Sequence, residues 1–92
     1  MGSERGMAKL YSIKDHEIPR AIKEIRNMIR RKLESAGYNV YGGVSKSIKN
    51  FSEGLVNALL DRVSTANEFR KGIDFLKEGS THLAEVIANY SL

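Results

Sequence analysis

The sequence predicts an all-α protein, a small three- or four-helix bundle with room for a short N-terminal strand. Three observations carry that expectation. Residues 17–36 place apolar side chains at helical spacing over five turns. Residues 45–63 do so a second time. Thr65 and Glu68 then form a capping-box pattern ahead of further apolar residues at the same period.

Length and composition set the frame. A chain of 92 residues suits one domain. Residues 1–6, MGSERG, read as a vector-derived leader ahead of a natural start at Met7, which leaves 7–92 as the helical domain. There is no cysteine, so disulfides and thiolate metal sites are excluded and a reducing, cytoplasmic setting is expected. No apolar run is long enough to span a membrane. Residues 1–50 hold 11 Lys and Arg against 5 Asp and Glu, a net +6. Residues 51–92 hold 4 against 6, a net −2, and the two halves give the whole-chain +4.

Residues 8–13, AKLYSI, are the candidate strand, with Lys9, Tyr11 and Ile13 sharing one face. The first helix, 17–36, aligns Ala21, Ile22, Ile25, Met28, Ile29, Leu33 and Ala36 within an arc of roughly 140° at about 100° per residue. Pro19 fits the first turn, where its missing N–H costs little. Gly37 is expected at C′, with Tyr38 packing back on Leu33. Lys32 projects toward the apolar arc, so its stem should pack while its ammonium reaches water.

YNVYGG, residues 38–43, reads as a connecting turn. The second helix, capped by Ser45 or Ser47, carries Val44, Ile48, Phe51, Leu55, Ala58 and Leu59. Val56, Leu60 and Val63 widen its apolar arc to roughly 200°, the pattern of a central helix or of one that also meets another subunit. Gly54 lies inside it and suggests close packing there. The third helix starts at the Thr65 cap and places Phe69, Ile73 and Leu76 on one face. Gly79 is expected to close it, with Ser80 or Thr81 capping a fourth helix whose stripe is Leu83, Val86, Ile87 and Tyr90.

Chemistry-bearing motifs are sparse. His16 and His82 lack partners at metal-ligand spacing, so no metal or cofactor is expected. No nucleophile motif or paired-carboxylate arrangement occurs, and the expectation is a non-enzymatic protein. Glu17 and Glu24, set among Lys and Arg, suit surface ion pairs along their own helix. The strongest hint is basic: residues 20–32 hold six Lys or Arg and one Glu.

Arg20, Lys23, Arg26, Arg30 and Arg31 therefore form the candidate nucleic-acid-binding face, aimed at phosphates, with DNA the expected partner of a homodimer. Tyr38 and Tyr41 flank that helix and could stack on bases or seal a core edge. A solvated basic face on a protein-interaction module is the alternative, such as an adaptor, inhibitor or structural subunit from a phage or other mobile element. A membrane partner is not expected. The candidate strand, the glycine-closed helix and the later SEGLVNAL stretch, residues 52–59, resemble the layout of ribbon-helix-helix repressors over about half the chain. The first helix and the YNVYGG connection are longer than that layout has, so no family is assigned.

Overall fold

The computed structural model describes residues 13–90, which form three helices. These are α1 (Glu17–Ser35), α2 (Gly42–Arg62) and α3 (Ala66–Tyr90). No strand occurs among the described residues. The strand expected over 8–13 falls outside them except for Ile13, which packs against the core.

α1 ends as its sequence requires. Gly37 takes φ +94°. Its N–H donates to the Glu34 carbonyl at 3.0 Å, and the Tyr38 N–H donates to Leu33 at 3.0 Å. That pair of bonds is a Schellman closure, and Tyr38 packs half-buried against the core. The buried stripe is Ala21, Ile25, Ile29 and Leu33; Ile22 and Met28 are half-buried at its edges, and Ala36 is exposed. α1 packs along both other helices, whereas α2 and α3 touch each other less. The central element is thus α1, so of the two readings of the wide apolar arc the central-helix one does not hold for α2.

α2 starts earlier than expected. Gly42 enters it at φ +59°, so Gly42 and Gly43 belong to its first turn and not to a connector. Ser45 and Ser47 do not cap it; the cap position is Tyr41, whose side chain makes no cap bond. Its inner line is Ile48, Ser52 and Val56. The Ser52 hydroxyl donates to the Ile48 carbonyl at 2.8 Å, and that bond satisfies a fully buried polar group. Leu55, Leu59, Leu60 and Val63 flank the line, while Val44, Phe51 and Ala58 turn to solvent.

The capping box forms as read. Thr65 Oγ1 accepts from the Glu68 N–H at 3.1 Å. Glu68 Oε1 accepts from the N–H groups of Thr65 at 3.1 Å and Ser64 at 2.9 Å. These bonds hold the Glu68 carboxyl below its ordinary pKa, the Ser64 N–H first among them. The helix then runs through Gly79 without a break, so the expected third and fourth helices are one. Two side chains explain this. Ser80 is buried on the inner face, and the Thr81 hydroxyl donates to the Lys77 carbonyl at 3.1 Å, so neither serves as a cap. A glycine in a helix interior costs about 1 kcal/mol relative to alanine, which packing on both sides of Gly79 offsets.

The inner stripe of α3 also differs from the expected one. Phe69 and Ile73 are buried, but beyond them the buried residues are small: Ser80, Ala84 and Ala88. Leu83, Val86, Ile87 and Tyr90 face outward instead. Small side chains let α1 approach closely here, and the larger ones are turned aside.

Ion pairs fix the register of α1 against α3. Glu17 meets Arg70, Glu24 meets Lys77 at 3.1 Å, and Lys32 meets Glu85 at 3.0 Å. Each pair is separated by 53 residues, so the two helices run parallel in fixed register. Glu17 and Glu24 thus pair between helices, contrary to the intrahelical pairing expected. Lys32 does not simply reach water but finds a carboxylate. α2 runs antiparallel to α3: Leu59 lies against Gly72, and Phe51 and Leu55 share a groove with Leu76 and Leu83.

Candidate functional site

The core stripe of α1 dictates where its cations go. With Ala21, Ile25, Ile29 and Leu33 turned inward, Arg20, Lys23, Arg26, Arg30 and Arg31 fall on an outward arc of about 140° at 100° per residue. Arg20, Lys23 and Arg31 are exposed; Arg26 and Arg30 are half-buried at the edge of the packed face. From residue 20 to residue 31 the helix rises about 16 Å. Asn27 lies among them, and Glu34 is the acidic residue that closes the arc.

Among the described residues, electrostatic partners separate the interhelical cations from the unpaired ones, which include Lys14, Lys46, Lys49, Arg62 and Lys71 besides those on the α1 arc. Lys32, Arg70 and Lys77 are engaged between helices. Among the described residues, Arg20, Lys23, Arg26 and Arg31 have no carboxylate within ion-pair distance. Arg30 is the exception, with its Nε 4.0 Å from Glu34 Oε1. That distance is too long for a hydrogen bond, and the Nε–H is a buried donor without a partner. The structure thus places all five predicted residues on one helix face. It leaves four of them without a neutralising partner among the described residues.

The strongest electrostatic arrangement lies beside this face, not on it. Glu17 takes a bidentate pair of bonds from Arg70, Nε to Oε1 at 2.9 Å and a terminal nitrogen to Oε2 at 3.0 Å. It also accepts the Lys14 N–H at 2.8 Å. The Arg70 bond first, and the Lys14 N–H second, hold its carboxyl at about 2, far below its ordinary 4.5. The same bond raises Arg70. Sequence reasoning missed this pair. Its signal was the matched seven-residue spacing of Glu17 and Glu24 with Arg70 and Lys77.

The two flanking tyrosines part ways. Tyr38 seals the core edge, and Tyr41 is 72% exposed at the start of α2. His16 and His82 are exposed. No group of three or more His, Asp or Glu side chains that could hold a metal ion occurs among the described residues. None of the described helices is long and apolar enough to cross a membrane.

A second surface emerges on the opposite side. Phe75 is 76% exposed and Tyr90 91% exposed, and Phe51, Leu83, Val86 and Ile87 are also open to solvent. Phe51, Phe75 and Leu83 line a shallow apolar groove between α2 and α3. No protein family, curated protein or solved structure matches the chain.

Proposed function

We propose that the chain is a non-enzymatic nucleic-acid-binding protein, cytoplasmic in setting, that lays the outer face of α1 along a phosphate backbone. The supporting observation is the division of its cations. Arg20, Lys23, Arg26 and Arg31 stand on one outward arc, Arg26 half-buried and the others exposed, without carboxylate partners among the described residues, while the cations that pair between helices lie off that arc. Such an arc offers charge to an external anion without first breaking an internal ion pair. Its length of about 16 Å matches three or four successive phosphates, given about 1.5 Å of rise per residue and less than full engagement of every side chain. Guanidinium groups supply bidentate donors that suit phosphate oxygens. DNA is the expected partner, and phosphate contacts of this kind carry little base preference.

Fluorescence anisotropy with a labelled duplex and a labelled single strand tests the reading. Binding is expected at low salt. Arg20→Gln with Arg31→Gln should weaken it on every sequence alike, with the helix retained because Gln is a good helix former. A flat titration on both substrates ends this reading.

The alternative is a protein-interaction module, an adaptor, inhibitor or structural subunit of the kind mobile elements carry. The observation that favours it is the exposed apolar groove between α2 and α3. The two readings use different faces and so are separable by mutation.

A further inference from the structure

The outward side of the α2–α3 layer has a composition unlike the rest of the surface. At about 100° per residue, the side of α3 nearest α2 carries no Asp, Glu, Lys or Arg from Phe69 to Tyr90. The matching side of α2 carries none from Val44 to Leu60, and Arg62 stands at its C-terminal end. Phe51, Phe75, Leu83 and Val86 stand exposed there. Apart from Arg62 at the end of α2, the charged residues of both helices lie on their other sides, and the candidate basic arc lies on α1, beyond the core.

We infer that this face is where a second copy of the chain docks, the α2–α3 layer of one copy against that of the other. Three arguments select the occupant. First, charge: a chain of net charge +4 repels its own copy through most of its surface, and this face has no charge but Arg62 at its end to oppose it. A partner recognised by charge would need a complementary pattern here, and none is present. Second, area. The face is about 25 Å long and two helices, about 20 Å, wide. Its projection is therefore about 500 Å², and the accessible surface of a ridged helical face exceeds its projection. That reaches the lower range of stable interfaces, about 600–800 Å² per partner. Third, packing. α2 and α3 meet each other more lightly than either meets α1, which leaves the groove between them open to a ridge such as Phe75 of a second copy.

A twofold pairing fits, because one self-complementary face serves both copies and closes the assembly at two. α1 lies on the far side of the α2–α3 layer, so the two basic arcs of such a dimer point away from each other. The dimer itself does not depend on the nucleic-acid reading.

Sedimentation velocity in the absence of nucleic acid tests it. Wild type at high micromolar concentration should sediment at twice the 10.3 kDa chain mass. Phe75→Glu and Val86→Glu each place a charge on the face and should sediment as monomers. Both positions are exposed in the single chain, so helical circular dichroism at low concentration should be unchanged. Lys71→Glu, a comparable charge change outside the face, should leave the dimer intact. Wild type sedimenting only as a monomer overturns the inference, whether residues 1–12 or a different protein covers the face. Dimerisation of both Glu variants as strong as that of wild type, or loss of the dimer in Lys71→Glu, overturns it as well.

Discussion

Gly72 is the glycine that the packing needs. A Cβ added there would lie 2.5 Å from Leu59 Cδ1 and 2.8 Å from Cδ2, so the Leu59 side chain would have to shift. Gly54, the position the sequence suggested for close approach, is exposed and has nothing within 4 Å of an added Cβ. The two substitutions should therefore have opposite signs. Gly54→Ala should stabilise by about 1 kcal/mol through helix propensity alone. Gly72→Ala gains the same propensity but overpacks at a typical 1–3 kcal/mol, for a net loss of about 1 kcal/mol. Chemical denaturation of the two variants checks this; stabilisation by Gly72→Ala would mean that Leu59 moves aside freely. Both glycines sit inside apolar helical patterns, so the sequence contains no local mark of which one faces a neighbour. Ser52 and Ser80 make the same point. A polar residue on an inner stripe reads as solvent-facing or as a cap until its partner is known, and for Ser52 the partner is the carbonyl one turn back.

At the scale of elements, termini were more legible than faces. The Gly37 closure and the Thr65–Glu68 box are local, because the residues that make each bond lie within five positions of one another. The stripe of α1 was legible because large aliphatic residues mark it. The inner stripe of α3 was not, because Ala84 and Ala88 are smaller than Leu83 and Ile87, so hydrophobic size pointed to the wrong side. The merging of two expected helices into α3 has a similar origin: Gly79-Ser80-Thr81 carries a stop and a cap in sequence, and tertiary packing overrides both. The α1–α3 ion pairs also depend on register, and one of them gives a pH signature. Glu17 has its folded-state pKa depressed to about 2 from 4.5. Its contribution to stability is thus fully present above about pH 4.5 and is lost as pH falls toward 2. The melting temperature of wild type should exceed that of Glu17→Gln near neutral pH, and the gap should close over that acid interval. A gap that persists unchanged to the acid end would mean that the Arg70 bond does not set the Glu17 pKa.

For the whole molecule, the helix order and the ion pairs decide what is left over for partners. Three helices, up, down and up, enclose one core within an envelope of 46 × 23 × 20 Å. The interhelical pairs consume Lys32, Arg70 and Lys77, and the outer arc of α1 keeps its charge. That arc was legible from the sequence as a density of Lys and Arg. The apolar α2–α3 face was legible only in part: the wide apolar arc of the second helix hinted at another subunit, but Val56 and Leu60, which widen it, are buried and half-buried in the core, and the exposed residues are Phe51 and Phe75. In the proposed function α1 meets nucleic acid through phosphates. The salt dependence of the duplex association constant tests it most directly. With three or four phosphates neutralised by one copy, log K should fall against log salt with a slope of about −3. On a short duplex the slope should stay near that value even where the chain dimerises, because back-to-back copies turn their arcs apart. Lys23→Gln with Arg31→Gln should flatten the slope by about 1 for each phosphate that is no longer neutralised. A slope near zero, or one unchanged by that double substitution, would contradict the account.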